Sequence, residues 1–194
     1  MNDPVPTGVS PDGAWVIVRD GVSQGFDIGR LQLGREPRIE PLVHTLFSEQ
    51  NGEVSPDGRW LSYQSNDSGR AEVWVRAYPD VNAGRWQVST EGGTQPLWGP
   101  GGRELFFRNA TGAVMRVAVE RGQGWTAAAP TKLIDRQYFV GGGEAFGRTY
   151  DIVPDGRRFL LIKDDPVAPS NTTLSIIVVE NWFDELQRML PTKR

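Results

Sequence analysis

The sequence contains no cysteine and only one histidine, His44. Without cysteine there is no disulfide scaffold, no thiol nucleophile and no zinc site with cysteine ligands. A single histidine excludes sites built from several imidazoles and restricts imidazole acid–base catalysis to this one residue. The 21 Lys and Arg residues are outnumbered by 24 Asp and Glu, and the net charge of −3 gives no electrostatic footprint for nucleic acid. These absences argue against most common enzymes.

Long apolar runs are also missing. No run approaches the roughly 20 residues of a membrane helix, and the first residues show neither the basic region nor the apolar stretch of a signal peptide. We therefore expect no membrane insertion of this chain. Turn-forming residues, in contrast, are abundant, with 23 Gly and 14 Pro among 194 residues, together with 7 Trp and 38% hydrophobic residues. This composition predicts a turn-rich β protein with enough apolar material for a core.

An internal repeat organises the chain. Ser10–Gly13 reads Ser-Pro-Asp-Gly and recurs at Ser55–Gly58, with variants at Val153–Gly156 and Gly99–Gly102. In each turn proline presets φ, aspartate can cap its own backbone, and glycine accepts a positive φ. The structural turn residues are Pro11, Asp12, Gly13, Pro56, Asp57, Gly58, Pro100, Gly102, Pro154, Asp155 and Gly156. The four prolines are 45, 44 and 54 residues apart, and periods in the forties are typical of a four-stranded propeller blade.

A short apolar run follows every turn, and its residues are aromatic or β-branched. The runs at 15–18, 60–63, 105–107 and 159–162 are predicted strands. Because several are apolar at consecutive positions, we expect burial on both faces, as in a blade between two blades. We predict an all-β, partial propeller of about four blades, each a four-stranded antiparallel sheet. The blades span residues 1–46, 47–91, 92–140 and 141–180, with four inner, four second, four third and three outer strands.

The last unit departs from this scheme. Residues 174–179 form a strong predicted strand, and a short C-terminal helix is predicted over residues 181–190. Asn181 is a suitable N-cap, acidic residues occupy the first turn, and Pro191 follows the end. We expect this helix to cover the edge where a fourth strand would pair.

These residues resemble a known family. Ser-Pro-Asp-Gly followed by an apolar strand is similar to the WD40-like (PD40) repeat of TolB-type β-propellers. Residues 52–163 resemble more specifically the C-terminal propeller of bacterial serine/threonine protein kinases, through the stretches 55–61, 86–98, 102–106 and 150–156, and the end at 181–186 is similar to theirs. The resemblance implies a non-catalytic interaction or sensor module, from a larger bacterial kinase or TolB-like protein, in a periplasmic or other extracytoplasmic location.

The chain departs from this family in two ways. The family has six or more blades, whereas this chain has about four. The glycine-rich loop with its strand lysine, the His-Arg-Asp loop and the Asp-Phe-Gly motif of kinases are all missing. Kinase activity, if it belongs to the parent protein, does not belong to this chain, and we expect no catalytic residues, cofactor or metal.

Several motifs suggest chemistry but have a simpler interpretation. Gly21–Gly25 fits the G-x-S-x-G pattern of a nucleophile elbow, yet it occupies the repeat position of a hairpin turn. The glycine-rich segment 141–147 lacks the Gly-Lys-Ser/Thr ending of a phosphate loop and is interpreted as a connection between blades. The turn aspartates could be cation ligands, but they occur once per repeat and should be too far apart to bind one ion. His44 lies in an outer strand without an evident acidic or serine partner.

The tryptophans are assigned mostly to packing. Trp15, Trp60 and Trp98 recur near the repeat turn and are predicted to pack between blades. Trp125 lies outside the repeat pattern and is the aromatic residue we consider for a partner contact.

An open row of four blades would leave two blade faces bare. Each face measures ~320 Å² from strand length and spacing, and the two together reach the size of the largest apolar patches on soluble monomers. We therefore predict a protein partner or self-association through the terminal blade faces. Two alternatives remain: an accessory substrate-gating propeller of a prolyl-oligopeptidase-type peptidase, and a propeller that binds a small ligand.

Overall fold

The computed structural model describes residues 4–22, 25–36, 38–120, 122, 124–135, 138–141 and 147–163. The described residues form fourteen strands and no helix. In chain order the strands are β1 (Val5–Val9), β2 (Trp15–Val22), β3 (Gly25–Gln32), β4 (Ile39–Val43), β5 (Glu49–Val54), β6 (Trp60–Ser65), β7 (Glu72–Ala77), β8 (Arg85–Gln87), β9 (Thr94–Trp98), β10 (Glu104–Arg108), β11 (Val114–Ala118), β12 (Thr131–Ile134), β13 (Tyr150–Ile152) and β14 (Phe159–Leu161).

The strands assemble into separate antiparallel sheets, each made from strands that follow one another in the chain. Strands β1–β4, β5–β8 and β9–β12 form the first, second and third sheets, and β13 pairs with β14 in the fourth. This arrangement confirms the predicted all-β fold with four-stranded antiparallel blades. The strand predicted at 174–179 and the helix predicted at 181–190 lie outside the described residues. Nothing in the described part of the chain is a helix that could span a membrane.

The four repeat turns share one backbone geometry. In each, the amide of the last glycine donates to the carbonyl oxygen three residues earlier at 2.8 Å, as Gly58 does to Ser55. The glycine has a φ between 65° and 71° in all four turns, a left-handed conformation that costs an L-residue energy. The Ser55 hydroxyl also donates to Asp57 and accepts the backbone amide of Trp60. The hydrogen bonds of the turn thus position the backbone where the second strand of each sheet begins.

The core consists of three apolar layers between neighbouring sheets. Ile17 and Ile28 of the first sheet pack with Leu61 and Tyr63 of the second. Trp60 and Val75 of the second sheet pack with Leu105 and Phe107 of the third, and Phe106 of the third packs with Tyr150 and Phe159 of the fourth. Consecutive residues of β6 and β10 are therefore buried on opposite faces, as the unbroken apolar runs predicted.

The same repeat positions point in the same direction in every sheet. Counting from the turn glycine, the third and fifth residues contact the preceding sheet: Leu61 and Tyr63 after Gly58, Leu105 and Phe107 after Gly102. The fourth residue contacts the following sheet, as Ile17 and Phe106 do. Because side chains alternate between the faces of a strand, the same positions identify which side chains lie on the outward faces of the first and fourth sheets.

Candidate functional site

The outward face of the first sheet is apolar. Val16 and Val18 are the third and fifth residues after Gly13, and they lie opposite Ile17, which contacts the second sheet. The register places Val9 and Leu31 beside Val16 on this outward face. Val9 is 56% exposed, whereas its equivalent in the second sheet, Val54, is 5% exposed, and Val16 is half-buried, whereas its equivalent, Leu61, is fully buried. Val18, at 4% exposure, is the buried member of this face. The first sheet thus carries the residues of a blade interface without a preceding sheet among the described residues.

The face of the fourth sheet that points away from the third sheet is also apolar. Phe159 and Leu161 pack against the third sheet, so Leu160 between them faces away. Leu160 is 41% exposed and Ile162 is 51% exposed. In the third sheet the residue equivalent to Leu160 is Phe106, which is 2% exposed because the fourth sheet covers it. The fourth sheet therefore presents residues that cover a following sheet elsewhere in the chain.

The first and fourth sheets line a common cavity of about 430 Å³. The first sheet contributes Val5 and Thr7 of β1, and the fourth contributes Leu160 and Ile162. Leu160 and Ile162 of the outward fourth-sheet face therefore border an open space that strand β1 of the first sheet also borders.

Charged and polar side chains join the inner strands beside this cavity. Glu53 Oε2 accepts the Trp98 backbone amide at 3.0 Å and Nη1 of Arg148 at 3.1 Å. Arg148 Nη1 also donates to the Pro96 carbonyl at 3.1 Å. Burial raises the pKa of Glu53, and the positive charge of Arg148 opposes that rise. Burial likewise raises the pKa of Tyr150, whose hydroxyl donates to the Gln95 carbonyl at 2.9 Å.

The structure corrects the prediction that His44 has no acidic partner. Its Nδ1 contacts Asp27 Oδ2, and this hydrogen bond raises the pKa of His44. Asp27 is buried at 6% exposure, while the His44 side chain is 68% exposed. Glu72 occupies the equivalent position in the second sheet and contacts Ser89. Both partners lie 17 residues after the acid, a spacing that could have identified the pair.

The turn aspartates lie in different sheets. Asp12 Oδ1 accepts the Ala14 amide at 3.0 Å, Asp57 Oδ1 accepts the Arg59 amide at 3.2 Å, and Asp155 Oδ1 accepts the Arg157 amide at 2.8 Å. The hydrogen bond from Ser10 is the main cause of a lowered pKa at Asp12, as the backbone amide is at Asp155. Among the described residues, no three His, Asp or Glu side chains converge as a metal site would require.

Trp125 packs against other tryptophans. Its ring centroid lies 5.5 Å from Trp60 and 6.0 Å from Trp98, both of which belong to the layer between the second and third sheets. Trp125 is only partly exposed, and a partner contact at this residue stays a prediction. Trp60 and Trp98 pack between blades as predicted. Trp15 is different: it is half-buried and stacks under the guanidinium of Arg30 within its own sheet.

The two motifs that suggested enzymes fall only partly on residues that the structure describes. Val22 pairs with Gly25 across the end of β2 and β3, so a strand and not a helix follows the G-x-S-x-G motif. Ser23 and Gln24 themselves lie outside the described residues, as do residues 142–146 of the glycine-rich segment. The elbow geometry, which needs a helix directly after the serine, is therefore absent from the described strands around it.

The described sheets define a class of protein, the β-propellers. No protein-family model matches the chain, and no curated protein matches it either. Among solved structures it is similar to TolB from Acinetobacter baumannii, with a TM-score of 0.58 and 13% identity over 86% of this chain and 39% of that one. A protein provisionally assigned as TolB from Agrobacterium tumefaciens gives a TM-score of 0.53 and 19% identity over 67% of this chain and 50% of that one.

A third solved structure shares the architecture. It is a protein from Bacteroides uniformis provisionally assigned as a 6-phosphogluconolactonase, with a TM-score of 0.51 and 18% identity over 81% of this chain and 47% of that one. The chain thus spans half or less of the length of these structures. At such identities the similarity establishes the fold, a β-propeller, and function has to be argued from the site.

Proposed function

We propose that this chain is a non-catalytic β-propeller module that binds protein through the outward faces of its first and fourth sheets. The observation that carries the proposal is the mismatch in burial between equivalent residues. Leu61 and Phe106 are buried inside the row of sheets, whereas Leu160, the equivalent of Phe106, is 41% exposed. A face built for burial but left in water favours association, because apolar area removed from water stabilises the associated state.

The surface that fits these faces is another propeller sheet. The outward residues of the first sheet match those that receive a preceding sheet, and the outward residues of the fourth match those that receive a following one. Two copies arranged head to tail would satisfy both faces of each copy, and the ring would contain eight sheets, within the usual range for propellers. Further blades of a longer protein would satisfy the faces in the same way.

We infer in addition that the chain is part of, or derived from, a larger bacterial TolB-like or kinase protein. The supporting observations are the Ser-Pro-Asp-Gly repeats, the similarity to TolB structures, and the fraction of those structures that the chain spans. Sequencing the gene around this region tests the origin. Further propeller repeats or a kinase domain in the same frame support it, and an unrelated fold on both sides contradicts it.

The interaction is tested by measuring mass in solution as a function of concentration. Sedimentation equilibrium of the wild-type chain should show a species heavier than 21.5 kDa, which dissociates on dilution. Leu160→Asp and Val9→Asp place a charge on the fourth and first faces and should each weaken the association at least ~10-fold, equivalent to about 1.4 kcal/mol. Leu46→Asp is the matched control, because Leu46 is 87% exposed in the connection between β4 and β5.

The control variant should associate like the wild-type chain. A stable monomer at every concentration, with the same unfolding midpoint in all four proteins, would contradict self-association through these faces.

A further inference from the structure

A second cavity, of about 330 Å³, lies between the second and third sheets and is rich in side-chain amides. Its described wall includes Gln50, Asn51, Gln64, Gln95, Arg108 and Asn109. Arg108 is the one charged side chain in that described wall, and no carboxylate accompanies it there. The volume falls at the lower end of the range for small-molecule sites, so the cavity suits a small polar ligand.

The backbone around this cavity is strained in the same way in two sheets. Asn51 in β5 has a φ of 53°, and Gln95 in β9 has a φ of 55°. In each strand two residues oppose a single residue of the next strand, Tyr63 or Phe107, so the ladder contains a bulge. A left-handed conformation at a residue other than glycine is unfavourable, and such residues cluster at functional sites, where bulges are also over-represented. Two such positions face one cavity.

These strained residues hold a hydrogen-bond donor in place. Gln64 Oε1 accepts the side-chain amide of Asn51 and the backbone amide of Gln95, both at 2.9 Å. Because two donors fix the oxygen, the NH₂ group of Gln64 has a defined orientation. Within the described part of the chain this NH₂ group has no hydrogen-bond partner, and Gln64 lines the cavity.

Arg108 occupies the repeat position of Gln64 in the next sheet, six residues after the turn glycine. It is 1% exposed. Its Nη1 donates to the Gly112 carbonyl at 2.9 Å, but Nε and Nη2 are buried without a partner among the described residues. Burial lowers the pKa of Arg108, and a buried cation without an anion is unfavourable for the folded chain.

The free edge of Arg108 has the geometry that recognises a carboxylate. Arg30 and Arg158 use this same edge, Nε with Nη2, to donate to one carboxylate oxygen each, Oε2 of Glu40 and Oδ2 of Asp155. Two parallel N–H donors in a plane match the two oxygens of a carboxylate. In Arg108 this edge is buried, and no carboxylate of the described residues pairs with it.

We propose that the cavity binds a small carboxylate, held by the Nε and Nη2 edge of Arg108 and by the NH₂ group of Gln64. The site is distinct from the outward sheet faces and goes beyond the protein-binding role proposed above. Since neighbouring atoms cover both nitrogens, the cavity wall has to open to expose them when the ligand enters. The carboxylate comes either from a free small acid or from a peptide, and both present the same group to Arg108.

The first test needs no variant. Isothermal titration calorimetry of the full chain with N-acetylglycine should give a dissociation constant in the millimolar range. The uncharged amide analogue, N-acetylglycinamide, should bind at least ~10-fold more weakly. Equal binding of the acid and the amide, or no heat from either, overturns the proposal. Acetyl-triglycine with a free C-terminus identifies the source: tighter binding than N-acetylglycine indicates a peptide carboxylate, and equal binding indicates a free small acid.

Variants then test the two residues. Arg108→Met should lower the affinity for N-acetylglycine at least ~10-fold and raise the unfolding midpoint of the free chain, because the unpaired buried charge is removed. Gln64→Met should weaken binding by a smaller factor. Arg103→Met is the control, because Arg103 is exposed in the repeat turn of the same sheet. Unchanged binding in Arg108→Met, with a lowered midpoint, would show a structural role and overturn the site.

A carboxylate of the chain itself is the competing occupant. Glu144 is near in sequence to Gly141 of the cavity wall, and its own placement lies outside the described residues. Glu144→Gln should bind N-acetylglycine as the wild-type chain does. Binding that occurs only in this variant would mean that Glu144 normally fills the site, and the proposal of an external ligand would be wrong.

Discussion

Glu53 and Arg148 form an ion pair at 3.1 Å although 95 residues separate them in the chain. Glu53 lies in β5 of the second sheet and also accepts the backbone amide of Trp98 in the third. Arg148 precedes β13 of the fourth sheet. The Glu53 carboxylate therefore connects three sheets near their inner strands. Breaking its ion pair with Arg148 tests how much this contact contributes to holding the fourth sheet against the second and third.

Arg148→Met should destabilise the folded chain by about 2 kcal/mol. The substitution leaves a largely buried carboxylate without its cation, and breaking a buried pair costs more than an exposed one. Both side chains are about one-fifth exposed, at 21% and 18%, so the expected value is below that of a fully buried pair. Urea denaturation at neutral pH measures the difference in the free energy of unfolding.

The matched control is Lys132→Met. Lys132 pairs with Asp135 at 2.8 Å, but the two side chains are 50% and 74% exposed, and exposed pairs contribute roughly 0–1 kcal/mol. The double variant Glu53→Gln with Arg148→Met should recover part of the lost stability, because no unpaired charge remains. Equal effects of Arg148→Met and Lys132→Met would show that the Glu53–Arg148 pair does not hold the sheets together.

Gly58→Ala should destabilise the chain by about 1 kcal/mol through the backbone alone. Gly58 has a φ of 70°, and a Cβ added there would meet no atom within 4 Å, so the cost is that of a left-handed L-residue. Thermal unfolding followed by circular dichroism gives the shift in midpoint. Gly101→Ala, in the equivalent turn of the third sheet, is the control: its added Cβ also meets nothing and its φ is not positive.

Gly101→Ala should be neutral or slightly stabilising, because alanine restricts the unfolded chain. If Gly58→Ala were as harmless as Gly101→Ala, the positive φ of the repeat turns would not limit which residue can occupy them.

Local chemistry made the sheets predictable. Pro56, Asp57 and Gly58 determine a turn within four residues, and the alternation from Trp60 onward determines which side chain faces which neighbour. The positive φ of Gln95 was not predictable in this way, since glutamine does not signal a left-handed backbone, and asparagine at position 51 signals it more weakly than glycine does. Contacts between distant residues, such as Glu53 with Arg148, depend on how the sheets are arranged around the cavities, and no local pattern contains that information.

Glu49→Gln should stabilise the chain by about 1 kcal/mol at neutral pH. Glu49 is 1% exposed, its Oε1 accepts hydrogen bonds from Thr45 and Ser65, and its Oε2 has no partner among the described residues. Burial raises the pKa of Glu49, and the charges of Asp27 and Asp67 raise it further. Glutamine keeps the accepting oxygen and removes the charge, which relieves about 1 kcal/mol of desolvation and of repulsion from Asp27 and Asp67.

The pH dependence of that gain separates charge from packing. A carboxyl whose pKa is higher in the folded chain favours folding in its protonated form, so its contribution is fully present below its ordinary pKa of 4.5 and is lost as the pH rises through the raised value. The difference between Glu49→Gln and the wild-type chain should therefore be largest at about pH 7.5 and vanish at about pH 4. Urea denaturation at both pH values measures it, with the exposed Glu36→Gln as control. A gain of the same size at both pH values would contradict the role of charge and assign the effect to packing around the new amide.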